Sequence, residues 1–220
     1  MAPSPGITSR AQLRELYPAP SRPAVAKQID HLDGHCRALI AHSPFLVMAT
    51  AGADGRCDSS PRGGPAGFVR VLDDHRLAIP DLAGNNRLDS LENILEHPGV
   101  GLLFFVPGLD ETLRVNGAAQ LSTDAAVLDV CTINDVRPRL VVGVRVEAAY
   151  IHCAKALRRG GLWQRELWPD TSGLPTIACM LRDHYASPDL DLAAVEERLA
   201  QSYQLTMWLA GGEAPPITGD

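Results

Sequence analysis

The sequence lacks the features that identify several large classes of protein. No segment approaches the roughly 18 consecutive apolar residues of a membrane span, and the first twenty residues lack the apolar run of a signal peptide. The formal net charge is −6, which argues against a general nucleic-acid-binding surface. These absences predict a cytoplasmic protein that binds neither nucleic acid nor membrane.

Paired cysteines and familiar catalytic strings are also missing. The five cysteines are widely spaced and no two form a C-x-x-C pair, so we expect neither a metal site nor a disulfide framework. There is no Gly-x-Ser-x-Gly, Walker or Rossmann string either. Hydrophobic residues nevertheless make up 45% of the chain, enough for a real core.

The apolar periodicity predicts helices at both ends of the chain and strands between them. Residues 1–43 read as N-terminal helices, Ala11–Tyr17 and Ser21–His42, and residues 153–210 as a C-terminal helical region followed by a disordered tail, 211–220. Residues 44–152 alternate in short runs with tight turns, which predicts six or seven antiparallel strands. We therefore expect one mainly β domain of the α+β class, an antiparallel barrel with flanking helices.

The individual strands differ in the burial that they predict. Residues 100–106 are apolar throughout, which is typical of a central strand buried on both faces. Residues 112–121 alternate instead, so that Arg114 and Asn116 should project together from the face opposite the core. Such a polar face is commonly only the solvated side of a sheet.

A second polar cluster precedes a predicted helix at residues 88–96. Gly84, Asn85, Asn86, Arg87 and Ser90 lie where free backbone N–H groups and the helix dipole favour an anion. The Arg87 guanidinium adds a two-pronged donor suited to phosphate. The alternative is an ordinary loop in which Asn86 caps the helix and Arg87 is solvated.

A third cluster ends a predicted strand at Ser60, Arg62 and Gly63. Glycine lets a ligand approach the backbone closely while Arg62 meets a phosphate or ring carbonyl. A β-bulge that turns a corner of the barrel explains the same residues without a ligand. After the last long strand, Lys155, Arg158 and Trp163 are either substrate-side residues or solvated and packing residues.

The order of these clusters resembles a known family. The run at 60–121, SPRGGPAGFVRVLDDHRLAIPDLAGNNRLDSLENILEHPGVGLLFFVPGLDETLRVNGAAQL, is similar to the pyridoxamine 5′-phosphate oxidase-like FMN-binding split barrels, above all to an uncharacterised FMN-binding subgroup. The run YIHCAKALRRGGLW at 150–163 is similar to the same subgroup. The resemblance implies an FMN-binding split barrel in which two subunits share each flavin.

The resemblance also implies roles for the clusters. Arg87 matches the basic residue that grips the flavin phosphate, and residues 60–63 match an arginine-bearing strand before the flavin ring. The segment at 113–117, Leu-Arg-Val-Asn-Gly, resembles the one that reaches the flavin from the partner subunit. The C-terminal Trp/Arg/His segment of the oxidases that act on pyridoxamine phosphate is not reproduced, which argues against oxidation of vitamin B6.

The hypothesis from the sequence is a homodimeric FMN-dependent oxidoreductase that transfers hydride through flavin N5. Its small-molecule substrate and electron donor are not identified, and no residue stands out as a catalytic acid or base. Two alternatives stay open. One is a flavin- or haem-binding protein without turnover, and the other is an enzyme that uses the deazaflavin cofactor in place of FMN.

Overall fold

The computed structural model describes residues 6–207, which form one antiparallel sheet with helices around it. The sheet has seven strands in the order β2-β1-β5-β6-β7-β4-β3. Their bounds are β1 (Phe45–Ala51), β2 (Cys57–Gly63), β3 (Arg70–Asp73), β4 (Arg76–Pro80), β5 (Gly99–Phe105), β6 (Thr112–Ser122) and β7 (Val141–His152). The helices are α1 (Arg10–Leu16), α2 (Arg22–Ala26), α3 (Gly34–His42), α4 (Asp89–Glu96), α5 (Ala125–Val130), α6 (Lys155–Arg159), α7 (Ile177–His184) and α8 (Leu192–Thr206), with a short 3₁₀ helix at Arg165–Leu167.

The predicted fold class is confirmed, but the sheet is open. The edge strands β2 and β3 are not paired with each other, so the strands do not close into a continuous barrel. The predicted antiparallel connections with very short turns are present between neighbouring strands such as β1 and β2. The predicted disordered tail, 211–220, lies outside the described residues, and the division into segments stays a prediction.

One face of the sheet forms the core. Alternate residues along β1, β5 and β6 are buried against α3 and α4, because side chains in a strand alternate between its two faces. This buried face includes Leu46, Met48, Leu102, Phe104, Leu113 and Val115. No described helix packs to the same extent on the opposite, outer face of these strands. The residues of β1 and β5 on this outer face are half-buried or exposed.

The burial along the central strand β5 differs from the prediction. The sequence predicted burial on both faces, whereas burial alternates along the strand and only Val100, Leu102 and Phe104 are fully buried. Leu103 and Phe105 lie on the outer face and keep partial exposure. Both faces of the strand are apolar, as the pattern indicates, but one copy of the chain covers only one of them.

The prediction of a single helix at Ser21–His42 is wrong. The chain forms α2 and α3 instead, and Val25 in α2 is 60% exposed. Between the two helices, the backbone of Ile29 exchanges hydrogen bonds of 3.0 and 2.8 Å with that of Ala149 in β7. Asp33 then caps α3 by accepting from the Cys36 amide at 2.8 Å. The hydrogen bonds of Ile29 with the sheet and the cap at Asp33 stabilise this break more than continuation of the helix would.

Other boundaries follow the sequence more closely. Ser9 caps α1 in a capping box with Gln12, and Asp124 caps α5. Thr176 and Asp191 cap the last two helices. Within the described part of the chain, no helix combines the length and the apolar character needed to cross a membrane; the cytoplasmic location stays a prediction.

Gly117 makes the pairing of β6 and β7 possible. The register shifts between Asn116 and Gly117, where β7 inserts an extra residue as a β-bulge. A Cβ atom at Gly117 would lie 2.0 Å from the carbonyl oxygen of Arg145, far inside van der Waals contact. Only glycine therefore fits the bulge.

We expect Gly117→Ala to lower the free energy of unfolding by roughly 3 kcal/mol or more, the upper end of the cost of overpacking. Gly143→Ala on the facing strand is the matched control, because its new Cβ would meet no atom closer than 3.7 Å. Urea denaturation of both variants measures the difference. Equal stability of the two variants would contradict the steric account of the bulge.

Candidate functional site

Two of the predicted clusters meet in a cleft at the edge of the sheet. The cleft has a volume of about 290 Å³, close to the lower end of the range of about 300–1,000 Å³ typical of small-molecule sites. It lies between the edge strand β2 and the segment that joins β4 to α4. Its lining comprises Asp58, Ser59, Ser60, Pro61, Arg62, Asp81, Leu82, Gly84, Asn85, Asn86, Arg87, Leu88, Asp89, Ser90 and Leu91.

The segment before α4 has an unusual backbone. The Asn85 side chain accepts from the Arg87 amide at 3.1 Å, which forms a local turn. Asn86 and Leu88 both lie in the left-handed region, with φ of 57° and 61°, a rare conformation for a bulky residue such as leucine. Leu88, and not Asn86, is the N-cap of α4, and its side chain provides no capping hydrogen bond. The start of α4 thus has the electrostatic character that favours an anion.

Arg87 is exposed at this helix start and is paired with a neighbour. Its Nε lies 2.8 Å from Oδ2 of Asp89, and an Nη lies 3.5 Å from Oδ1. The hydrogen bond raises the pKa of Arg87 and lowers the pKa of Asp89. Exposed ion pairs of this kind are weak, so an incoming phosphate can compete with Asp89 for the guanidinium.

Ser90, another predicted phosphate donor, is already engaged. Its side chain is buried, with 2% of the residue exposed, and its hydroxyl donates to the carboxylate of Asp58 in β2. Two further contacts hold α4 to the hairpin of β1 and β2: Asn93 donates to the Thr50 hydroxyl at 3.1 Å, and Glu96 accepts from a hairpin amide at 3.0 Å. Ser90 therefore positions α4 against β2, and its role toward phosphate stays a prediction.

Asp81 is a cleft residue that the sequence reasoning missed. It follows the buried strand β4, and its amide donates to the Leu140 carbonyl at 2.9 Å. Burial raises the pKa of its carboxyl group, and the nearby charge of Arg62 acts in the opposite direction. A lone acidic residue directly after an apolar strand was the only signal in the sequence. Asp81 thus partly neutralises Arg62 inside the cleft.

Arg114 and Asn116 lie outside the cleft. Arg62 pairs with Leu46, which is part of the core face, whereas Arg114 pairs with Leu103 on the outer face. Residues directly opposite each other in neighbouring strands project from the same face. Arg62 and Arg114 of one copy are therefore on opposite faces of the sheet. The third cluster does not join the other two within one subunit.

Gly63, Lys155, Arg158 and Trp163 also lie outside the cleft lining. Arg158 pairs with Asp110 at 2.7 Å, and the Trp163 indole donates to a carbonyl of the same turn, at Leu109, at 2.9 Å. These contacts fasten the segment after β7 to the turn between β5 and β6. Lys155 is exposed at the start of α6. The binding roles predicted for all four residues stay predictions.

The raised pKa of Asp81 predicts a pH-dependent stability. The folded state holds the proton more tightly than the unfolded state, so this contribution is complete below the ordinary pKa of 3.8 and is lost as the pH rises through the raised value. We therefore expect Asp81→Asn to gain stability relative to the parent protein between pH 4 and pH 7. Urea denaturation at both pH values measures the gain.

The exposed Asp189 provides the control for this experiment. Asp189→Asn should stay within about 0.5 kcal/mol of the parent protein at both pH values. The account of Asp81 is wrong if its variant shows the same stability difference at pH 4 as at pH 7.

Comparison with known proteins places the chain in a family. A family model described as pyridoxamine 5′-phosphate oxidase matches residues 32–153, more than half of the chain. No curated protein matches this chain. Solved structures that are similar include HupZ of Group A Streptococcus (19% identity, TM-score 0.44, 54% of this chain and 92% of that chain). Two others are a putative pyridoxamine 5′-phosphate oxidase from Lactobacillus delbrueckii (22%, 0.44, 56% and 95%) and the heme storage protein HutZ from Vibrio cholerae (13%, 0.35, 55% and 94%). On the match of the family model, this chain belongs to the pyridoxamine 5′-phosphate oxidase family.

Proposed function

We propose that the protein binds FMN with the phosphate at the start of α4 and acts as an FMN-dependent oxidoreductase. The observation that carries the proposal is one cleft in which Arg87, at an uncapped helix start, is opposite Ser60 and Arg62 of β2. Guanidinium groups, hydroxyls and helix N-termini are the donors that phosphate requires. When bound, FMN supplies the redox chemistry by accepting a hydride at N5.

The cleft residues fit the phosphate end of this cofactor. Gly84 has open space beside its Cα atom, with no atom within 4 Å of the position that a Cβ atom would occupy. Of the three carboxylates in the cleft, Asp89 pairs with Arg87 and Asp58 accepts from Ser90. A phosphate dianion gains the Arg87 fork by displacing Asp89. Binding is therefore an exchange of anions, in which Asp89 acts as a competitor for the cofactor.

The proposal includes a homodimer formed through the outer face of the sheet. This face is apolar across β1 and β5, where Phe45 pairs with Phe105 and Val47 with Leu103. The two phenylalanine rings lie 5.9 Å apart, and Phe45 is 39% exposed. A contiguous exposed apolar patch is typical of a protein–protein interface, and a second copy is the occupant that the family resemblance implies.

A dimer also brings the separated clusters to one ligand. In one copy, Arg62 belongs to the core side and Arg114 to the outer side of the sheet. Arg114 and Asn116 border the apolar patch, next to Leu103 and Gly101. A second copy packed on this patch is placed to contribute Arg114 and Asn116 to a flavin whose phosphate is held by Arg87 of the first. Lys155, Arg158 and Trp163 would then border the substrate side.

Haem and deazaflavin remain the alternatives to FMN. Haem iron is held by His, Cys, Met or Tyr, and the described residues that line the cleft include none of these types. The cleft therefore favours a phosphorylated cofactor over haem. The cleft residues do not distinguish FMN from a deazaflavin cofactor, so mass spectrometry of the ligand released from the purified protein is the measurement that separates the two.

The phosphate assignment predicts opposite effects for two neighbouring substitutions. Arg87→Ala should weaken FMN binding about 10- to 100-fold because it removes a charge-assisted hydrogen bond. Asp89→Asn should bind FMN at least as tightly as the parent protein because it removes the competing carboxylate. Fluorescence quenching of FMN during titration measures both affinities.

The matched control is Arg56→Ala, which removes an arginine from an Arg–Asp pair with the same 2.8 Å separation, outside the cleft. It should leave FMN affinity unchanged. An Arg87→Ala protein that is folded by circular dichroism and binds FMN like the parent would overturn the assignment of Arg87.

The dimer assignment predicts that a charge on the outer face separates the subunits. Leu103→Glu should give a monomer by light scattering after size-exclusion chromatography, because it places a carboxylate in the apolar patch. Leu95→Glu is the control, because Leu95 is 74% exposed on α4, which packs on the core side. A monomeric parent protein, or a dimeric Leu103→Glu variant, would contradict this interface.

A further inference from the structure

Tyr150 and three residues around it form a second polar site, outside the cleft. Tyr150 in β7 pairs with Arg114 in β6, and two residues further along β7, His152 pairs with Thr112. The Arg114 guanidinium donates to the Tyr150 hydroxyl at 3.2 Å and lies 5.7 Å from the centre of its ring. The Lys27 ammonium also lies 5.7 Å from that centre. We refer to Lys27, Arg114, Tyr150 and His152 as the Tyr150 cluster.

The charges of this cluster are not balanced within the described part of the chain. Lys27 donates to the Ile151 carbonyl at 2.8 Å and Arg114 to the Tyr150 hydroxyl, and neither forms an ion pair with a carboxylate. Elsewhere the same chain pairs exposed arginines with Asp or Glu, as in Arg87–Asp89 and Arg158–Asp110. The protein as a whole carries a net charge of −6. Two cations without a carboxylate partner, Lys27 and Arg114, thus lie beside one aromatic ring.

The positive charges of the cluster act on the neighbouring His152. Burial lowers the pKa of His152, and the charges of Arg114 and Lys27 lower it further. His152 is therefore neutral near pH 7 and adds no third positive charge. The Tyr150 hydroxyl accepts from Arg114, which leaves its own proton to be donated to a ligand. The cluster combines a guanidinium, an ammonium and a phenol as donors.

We infer that the Tyr150 cluster binds the oxyanion of a small-molecule substrate, a carboxylate or a phosphate. Three donor groups converge from β6, β7 and the segment after α2, and two of them are cations without an acidic partner. Charge-assisted hydrogen bonds of this kind recognise oxyanions. Lys27 belongs to an N-terminal segment that the matched family region, residues 32–153, does not include.

The cluster is distinct from the proposed phosphate position of FMN. Arg114 is on the outer face of the sheet, whereas Arg62 of the cleft is on the core side. Assigning the oxyanion to a substrate rests on the proposed function, because a second copy would bring this face next to the flavin. Oxyanion binding itself does not depend on FMN, so it can be tested in its absence.

The pKa of His152 provides the readout. NMR titration of the imidazole, assigned with a His152→Gln variant, gives this pKa in protein without FMN. Adding inorganic phosphate or acetate should raise it, because a bound oxyanion offsets Lys27 and Arg114. Lys27→Met should raise the pKa of His152 without any anion, because it removes a positive charge. It should also weaken, about tenfold, the apparent affinity for whichever of the two anions raises this pKa in the parent protein. The two anions distinguish phosphate from carboxylate recognition.

Two controls make the outcome decisive. Sodium chloride at matched ionic strength measures the rise caused by screening alone, and Arg56→Met removes a cation from the distant hairpin of β1 and β2. The inference is overturned if neither anion exceeds chloride, or if Lys27→Met responds to the anions like Arg56→Met. Failure of FMN to bind in the separate titration would leave oxyanion binding standing and remove only its assignment to a flavin substrate.

Discussion

The pairing of β6 with β7 is the interaction on which the rest of the molecule depends. These strands pair from Thr112 to Ser122, the longest register in the sheet, and the other strands attach to their outer edges, β5 to β6 and β4 to β7. The bulge at Gly117 lies in the middle of this register. It sets which side chains of β7 face Arg114 and Asn116. Tyr150 and the Arg114 guanidinium meet because the register before the bulge places them opposite each other.

A second constraint is the balance of charge in the cleft. The cleft contains Arg62 and Arg87 together with Asp58, Asp81 and Asp89. Asp58 accepts from Ser90, Asp89 pairs with Arg87, and Asp81 lies near the charge of Arg62. The carboxylates offset part of the positive charge of the two arginines, while the exposed Arg87 guanidinium stays open to exchange. A ligand phosphate gains by replacing a weak exposed ion pair, not by filling an empty positive pocket. The Tyr150 cluster differs, because neither Lys27 nor Arg114 has an acidic partner among the described residues.

Much of the fold could be predicted from the sequence because the signals were local. The alternation along β6 placed Arg114 and Asn116 on one face, and the short alternating runs with tight turns predicted the antiparallel strands. The break between α2 and α3 could not be predicted in this way. It depends on hydrogen bonds between Ile29 and Ala149, which are far apart in the sequence. The apolar periodicity alone favoured one continuous helix.

The candidate site was predictable only in part for the same reason. Arg87 and Arg62 stood out by their glycine- and asparagine-rich surroundings, and the structure brings both to one cleft. Asp58 and Asp81 gave no such signal, because their importance comes from contacts with Ser90 and Arg62 across the sheet edge. The left-handed Leu88, which replaces Asn86 as the N-cap, is set by the surrounding structure and not by its own preference.

The measurement that tests the central claim most directly is the visible absorption spectrum of the purified protein after addition of equimolar FMN and gel filtration. The account predicts the two bands of an oxidised flavin co-eluting with a dimer. Bleaching of those bands by a nicotinamide reductant would then support turnover. A colourless protein that leaves all FMN in the low-molecular-mass fraction would contradict the account.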